Sequence, residues 1–369
     1  MRDVTGIGCD KSSGVLRPDD SQEHPNSGQP LHDLTGGNIW VSHVLASAIG
    51  GSPNYDGTNA ALLGAGPATL TLDLSAGLGV EPVSLLAGVE RAKQQLQLAA
   101  ALQNLGYDSQ SGTLTFRIQN HTGHKLITGF PEGRRMFVNI RAFDGGGALL
   151  QEINPYDVAA GTLKGLPSDY SPNSPALSAN ESYQDGLVYE VNPSSTITGE
   201  DKTFHFALAD GRRKDNRIPP KGFRIAEAAA RLADPVINGN PAPAHFSAAE
   251  YAGGYDDISL GIVSGAARVV VSLYYQVTSR EYVEFLRDEI KGPPNRITLP
   301  QDAYVIQSDP FFDQLRAWGD TVWDLWNHNL DVPGAAPYLM AQASIDAAPT
   351  PCLPPIPVLL SAEAGPAEA

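Results

Sequence analysis

Cysteine is nearly absent from this sequence, which has only Cys9 and Cys352 among 369 residues. Two cysteines, one near each end, support neither a disulfide framework nor a cysteine metal site, although the two could pair with each other. The N-terminus has no apolar core of signal-peptide length, and no run of about 18 apolar residues occurs elsewhere. The sequence as written therefore predicts no export signal and no membrane span.

Basic residues are also scarce, with 25 Lys and Arg against 41 Asp and Glu and a formal net charge of -16 at pH 7. Such a charge repels phosphate backbones and anionic membrane surfaces, so nucleic acid is not an expected partner. The sequence has no Ser-His-Asp nucleophile elbow and no phosphate-cradling glycine loop. These absences leave the question of an enzyme open and give no positive reason to expect one.

Glycine and proline, by contrast, are abundant: 37 Gly and 29 Pro make up about 18% of the chain, against about 12% in average proteins. This composition favours turn-rich β structure, and 42% hydrophobic residues suffice for a core. One strong helical pattern precedes the β region. Leu85, Val89 and Leu96 recur at helical spacing between Pro82 and Gly106, which predicts a helix over 82–105.

From about residue 110 the apolar period changes to two. The alternating sets are Leu114/Phe116/Ile118, Val138/Ile140/Ala142, Leu187/Tyr189/Val191, Phe204/Phe206/Leu208 and Val269/Val271/Leu273/Tyr275/Val277. The sequence predicts a mainly β fold with peripheral helices, centred on an antiparallel, immunoglobulin-like β-sandwich of about seven strands. We expect four parts: an extended arm with a helical segment (1–109), the sandwich (110–278), two C-terminal helices within 279–330, namely 279–291 and 310–328, and a disordered tail (345–369).

The chemistry is concentrated in residues 120–135, Asn-His-Thr-Gly-His-Lys-Leu-Ile-Thr-Gly-Phe-Pro-Glu-Gly-Arg-Arg, between two of the predicted strands. Two histidines, Lys125 and the pair Arg134 and Arg135 lie among glycines here. Such a mixture cannot pack as core, but it can present donors and ligands from a rigid sheet. We interpret it as a functional loop.

This loop resembles a run that follows the haem-binding part of certain bacterial multihaem c-type cytochromes, Asn-x-Thr-Gly-His-Lys-Leu-Pro-Thr-Gly-x-Pro-Glu-Gly-Arg-Arg. Three more stretches resemble the same family in the same order. They are residues 31–38 (Leu-His-Asp-Leu-Thr-Gly-Gly-Asn), 215–223 (Asp-Asn-Arg-Ile-Pro-Pro-Lys-Gly-Phe) and 275–282 (Tyr-Gln-Val-Thr-Ser-Arg-Glu-Tyr). The resemblance covers about residues 1–326 and is specific to the C-terminal region of those proteins.

The resemblance implies a scaffold that gives axial ligands to haem c attached outside this chain, because no Cys-x-x-Cys-His occurs here. His32 and His124 lie inside the matching motifs and are the implied distal iron ligands. Lys125, Arg134 and Arg135 are the implied contacts of the haem propionates. Their alternative role is internal ion pairing, and that of His124 is to pin a turn by hydrogen bonds.

The resemblance further implies electron transfer in a respiratory or extracellular chain, with a haem-bearing N-terminal region or a partner cytochrome. It implies a periplasmic or extracellular location, although no signal peptide is present. Because a methionine often follows the last haem motif in the family, Met1 could be internal to a longer cytochrome. A haem-free descendant or one half of a split gene is the alternative.

Two positions depart from the family pattern, and two other functions stay open. His121 stands where the family has an apolar residue, and Ile127 replaces its proline. His121, His124 and Glu132 could instead supply the metal ligands of a metal-dependent hydrolase. Against this, two histidines separated by two residues on a glycine-bearing loop are not held on one face, as they would be on a helix. A haem-free β-sandwich module that binds carbohydrate or protein is the other alternative.

Overall fold

The computed structural model describes residues 36–64, 81–127, 133–168, 171–288 and 310–347. In these ranges the chain is mainly β, with several antiparallel sheets and seven α-helices. The helices are α1 (Trp40–Ser47), α2 (Gly57–Gly64), α3 (Pro82–Ala99), α4 (Ile225–Ala228), α5 (Ala248–Gly253), α6 (Arg280–Asp288) and α7 (Pro310–His328). The strands are β1 (Ala100–Asp108), β2 (Thr113–Asn120), β3 (Arg135–Phe143), β4 (Leu149–Ile153), β5 (Tyr156–Asp157), β6 (Thr162–Leu163), β7 (Glu181–Ser182), β8 (Val188–Tyr189), β9 (Val191–Ser194), β10 (Gly211–Asp215), β11 (Val236–Ile237), β12 (Asn240–Pro241), β13 (Tyr255–Gly261), β14 (Arg268–Gln276) and β15 (Tyr338–Asp346).

Two antiparallel sheets supply the main core. One has the order β1-β2-β13, and the other has the order β15-β14-β3-β4-β7, with β8 also paired to β3. Alternate residues of β2, β3 and β14 are buried in one hydrophobic cluster, as their period of two predicts. These residues are Leu114, Phe116, Ile118, Met136, Val138, Ile140, Ala142, Val269, Val271, Leu273 and Tyr275. One strand pair, β4 with β7, is parallel.

Helices on both sides of the β region join the same core. Ile39 beside α1, Val89 of α3 and Trp326 of α7 are all buried in the cluster that contains the strand residues. Side chains accept backbone bonds at the N-termini of α1 and α6: the Asn38 side chain accepts a bond from Val41 N (3.1 Å), and Ser279 Oγ accepts one from Tyr282 N (3.4 Å). The division into four parts stays a prediction.

The predicted helix over 82–105 was too long at its C-terminal end. Pro82 does open α3, but the helix stops at Ala99, and Ala100 is already extended (φ -147°). The apolar stripe of the helix also ends at Ala99, and the following residues pair with β2 as an antiparallel edge strand. Gly106, predicted to end the helix, instead lies at a β-bulge. Strand pairing overrides helix propensity here.

Two further predictions need correction. Phe204, Phe206 and Leu208 do not form a strand, because residues 206–208 make a 3-10 turn in which Phe206 is 46% exposed. The predicted tail began too early, since β15 extends to Asp346 and pairs with β14. Residues 348–369, the rest of that prediction, lie outside the described residues. Among the described helices, none is long and apolar enough to cross a membrane.

Candidate functional site

The loop after β2 is held in place by the last residue of that strand. The Asn120 amide nitrogen donates to the carbonyl oxygens of His124 (2.9 Å) and Ile218 (3.1 Å). Its amide oxygen accepts from both N and Oγ1 of Thr122, at 2.7 Å each. Asn120 and Thr122 are buried, so these bonds are shielded from water and fix the loop's first turn. The peptide bond between Leu126 and Ile127 is cis.

The four motif-like stretches meet around this loop. Leu126 forms an antiparallel bridge with Ile218 of the third stretch, with N to O distances of 2.8 and 3.1 Å. From the fourth stretch, Ser279 N donates to Gly133 O (2.8 Å). From the first, Gly37 packs against the ring of Tyr275. Segments separated by up to 240 positions in the sequence therefore build one region of the structure.

The imidazole of His124 has one engaged and one unengaged nitrogen. Nδ1 lies 3.1 Å from the carbonyl oxygen of Lys125 and 3.0 Å from Thr122 Oγ1. Because a carbonyl only accepts, this network assigns the proton to Nδ1. Nε2 is buried, carries the lone pair and has no hydrogen-bond partner among the residues described. Burial lowers the pKa of His124, which keeps the ring neutral and able to ligate a metal.

His124 lines a small cleft between the loop, α3 and the end of β14. Its volume is about 40 Å³, enough for a few water molecules and not for a porphyrin. The lining residues are Gly37, Gln95, Leu96, Ala99, Thr122, His124, Leu126, Ile127, Arg134, Tyr275 and Met340. The donor chemistry of His124 thus fits a haem iron, whereas a cleft of this volume admits no haem. Because Nε2 is buried, ligation would require neighbouring residues to move.

Arg134 is the second predicted site residue at this cleft. Its half-buried side chain lies beside Tyr275, which is 3% exposed. Burial raises the pKa of Tyr275, while the guanidinium beside it acts in the opposite direction. The structure therefore brings a neutral imidazole and a guanidinium to the same cleft.

Lys125 points away from that cleft into a buried ion cluster. Its Nζ lies 2.9 Å from Asp215 Oδ2, and the two side chains are 10% and 1% exposed. Arg217 and Arg212 also pair with this carboxylate, at 2.9 and 3.3 Å. Burial opposes ionisation of Asp215, but Arg217 and Lys125 outweigh it and lower its pKa. Burial also lowers the pKa of Lys125 more than Asp215 raises it.

Arg135 is also turned inward, where it pairs with Glu281 of α6 at 3.1 Å; each side chain is 1% exposed. Arg135 Nε donates to Gln276 Oε1 (2.7 Å), and the Glu281 carboxylate accepts from the hydroxyls of Thr162 and Ser171. The head groups of Lys125 and Arg135 are thus engaged internally, with Asp215 and Glu281.

The remaining predicted site residues do not join the cleft in the described structure. His32 and Glu132 lie outside the described residues, and His121 is exposed on the loop. Within the part of the chain that the structure describes, no three His, Cys, Asp or Glu side chains come together in a metal-binding group. The hydrolase hypothesis therefore lacks its ligand set among these residues.

Sequence reasoning missed the residues that support the site. Asn120 and Thr122 position the His124 ring, and Tyr275 and Gln276 hold the two arginines. The spacing Asn-x-Thr at the end of a strand was a usable signal, since Asn and Thr side chains commonly bond backbone two residues on.

No protein-family model matches the chain, and no curated protein matches it. Among solved structures, it is similar to a penta-haem cytochrome c552 from Thermochromatium tepidum, with 13% identity and a TM-score of 0.36. The similarity is weak. It covers 91% of this chain and 56% of that one, so the chain spans little more than half the length of that cytochrome. At this TM-score the similarity carries no argument about function.

Proposed function

We propose that this chain is the C-terminal scaffold and ligand-donating domain of a multihaem c-type cytochrome that transfers electrons. His124 would give a distal ligand to a haem c attached upstream or on a partner chain. Arg134 would contact a propionate, while Lys125 and Arg135 serve the scaffold through their buried ion pairs. His32 is retained as a second distal ligand. Catalysis is not part of this proposal.

The observation that carries the proposal is the state of the His124 ring. In metal sites a ligating histidine donates its other N–H to a carbonyl or carboxylate, which fixes the tautomer and the ring orientation. His124 makes this bond from Nδ1 to the carbonyl of Lys125 and leaves Nε2 unpaired. A buried nitrogen without a partner is costly, so the arrangement favours a ligand for Nε2.

The convergence of the four motif-like stretches supports the same proposal. The third and fourth stretches contact the loop directly, through Ile218, Gln276 and Ser279, and Gly37 of the first stretch packs against Tyr275 of the fourth. The finer parts of the hypothesis belong to the same proposal: an immunoglobulin-like arrangement of the sheets, a periplasmic or extracellular location, and a role in respiration.

The test uses a ferric haem c peptide with one axial histidine and an open sixth position, added to the purified chain. We expect the wild type to convert this haem from high spin to low spin, because an imidazole is a strong-field sixth ligand. The variant His124→Ala should leave the haem high spin. The absorption spectrum and electron paramagnetic resonance measure the conversion.

His121→Ala is the matched control, since His121 is an exposed imidazole three positions away on the same loop. It should behave as the wild type. A low-spin spectrum that survives in His124→Ala, or its loss in His121→Ala, would contradict the assignment of His124. The chain expressed alone should carry no covalent haem, so a Soret band that remains after denaturation and solvent extraction would also contradict it.

A further inference from the structure

A second cleft lies on the outer face of the β15-β14-β3 sheet, away from the core and from His124. Its volume is about 610 Å³, within the range of about 300–1,000 Å³ typical of small-molecule sites. The strand register determines which side chains form the base of the cleft. Phe143, Arg268 and Asp346 lie side by side across three strands, and Arg141 lies opposite Val270 in the next row. The hairpin after β3, with Gly145 and Gly147, forms one end.

Two guanidinium groups line this cleft, in a protein of net charge -16. Arg268 is more than half exposed, and its contact with Asp346 is long, at 3.9 Å, so this pair contributes little. The guanidinium of Arg141 lies 5.8 Å from the centre of the Phe143 ring. Its Nε is buried and has no hydrogen-bond partner in the described structure. Arg141 therefore lines the cleft and carries one buried donor that is unpaired in the described structure.

The other lining groups restrict the ligand. Asp144 and Asp346 would repel a densely charged anion such as a polyphosphate, but carboxylates accept hydrogen bonds from hydroxyl groups. Gln342 adds an amide, and Phe143 and Val270 add apolar surface. The matching chemistry is a molecule with one carboxylate per ring, several hydroxyls and an apolar C–H face.

We propose that this cleft binds an acidic saccharide built of uronate units. The carboxylate pairs with Arg141 through its fork of N–H donors, for which arginine is better suited than lysine. The sugar ring lies against Phe143 and Val270, and its hydroxyls bond to the amide and carboxylates at the rim. The proposal does not depend on haem ligation, because no residue of the His124 cleft takes part.

The test is isothermal titration calorimetry of the full chain with digalacturonate, the neutral galactose disaccharide and benzoate. We expect saturable binding of digalacturonate with a Kd no weaker than about 1 mM, weakened by added salt. The neutral sugar and benzoate should bind at least about tenfold more weakly, because each lacks either the carboxylate or the hydroxyls.

Arg141→Lys keeps the charge and removes the fork, so it should weaken binding of digalacturonate about tenfold. Arg224→Lys is the control, since Arg224 is an exposed arginine outside the cleft. Gln342→Ala is a second cleft variant, at an exposed position, and it should also bind digalacturonate more weakly. It serves as the test if Arg141→Lys lowers the melting temperature of the protein. Equal binding of benzoate, unchanged affinity in both cleft variants, or no saturable binding would overturn the proposal.

Discussion

Thr122 is the residue on which the orientation of His124 depends most directly. Its hydroxyl lies 2.7 Å from Asn120 Oδ1, 2.9 Å from the His124 carbonyl and 3.0 Å from Nδ1 of the ring. The isosteric change Thr122→Val removes these bonds and leaves a buried amide oxygen with one donor fewer. We expect a loss of about 1–3 kcal/mol in the free energy of unfolding, measured by urea denaturation.

Thr115→Val is the control for that variant, because the Thr115 hydroxyl is exposed and its bond to Gly106 O is 3.5 Å long. It should change stability by less than about 0.5 kcal/mol. Equal effects of the two substitutions would show that the Thr122 hydroxyl has no special role in the loop.

Asp256 should give the protein a pH dependence of unusual sign. Burial raises the pKa of its carboxyl to about 6, although a hydrogen bond from Tyr189 opposes the rise; Glu250 and Asp257 also raise it. In the unfolded chain the value is about 3.9. The folded state therefore binds more protons between these values, and this group's contribution to stability falls as pH rises through about 4 to 6, by up to about 3 kcal/mol.

Asp256→Asn removes this titration while keeping an acceptor for Tyr189. We expect the difference in unfolding free energy between variant and wild type to grow in favour of the variant from pH 4 to 7. For Asp257→Asn we expect a nearly constant difference from pH 4 to 7, because the Arg117 pair lowers the pKa of Asp257 and its contribution to stability is lost only as pH falls below about 4. A pH-independent difference for Asp256→Asn would contradict the raised pKa.

At the scale of elements, the buried pair Arg135 and Glu281 joins β3 to α6. Removing one charge leaves the other buried without compensation, so Arg135→Met should cost about 3–5 kcal/mol. The double variant Arg135→Met/Glu281→Gln removes both charges and should recover part of that loss. Thermal and urea unfolding of the three proteins give the comparison. A double variant no more stable than the single one would show that the pairing is not the source of the effect.

The sequence predicted those elements whose own residues carry the signal. Pro82 and Pro310 open α3 and α7 at the predicted positions, and the alternation in β2, β3 and β14 gave the buried faces. The sequence prediction failed where pairing with a distant segment determines the secondary structure. Residues after Ala99 are a strand because β2 is available to pair with them, and β15 is a strand because of β14. The short helix α5 was missed although Ser247 and Glu250 form a capping box.

The candidate site was predictable only in part, for the same reason. The position of a connection between β2 and β3 followed from the alternation of apolar residues in the two flanking strands. The direction of each side chain did not, because it depends on partners far away in the sequence: Asp215 draws Lys125 inward, and Glu281 does the same to Arg135. The tautomer of His124 depends on a backbone carbonyl that no residue pattern identifies.

At the scale of the whole molecule, residues from the helices and from both main sheets share one hydrophobic cluster. We therefore expect the described parts to unfold in one cooperative transition. Tryptophan fluorescence follows Trp40 in α1 and Trp326 in α7, both buried, while far-ultraviolet circular dichroism follows the strands. The two denaturation curves should coincide. Separate midpoints would mean that the helices and the β region are independent domains.

The direct passage from α3 to β1 has a kinetic consequence. Gln95, Leu96 and Ala99 line the same cleft as His124, and the helix becomes a strand at Ala100 without an intervening turn. The Ala99 carbonyl also accepts a bond from His121 N (2.9 Å), on the loop that carries His124. The helix therefore cannot swing aside without loosening the edge of a sheet. A haem iron would therefore bind to His124 slowly and dissociate from it slowly. Both rates would be set by the opening of the protein around the cleft rather than by the haem concentration.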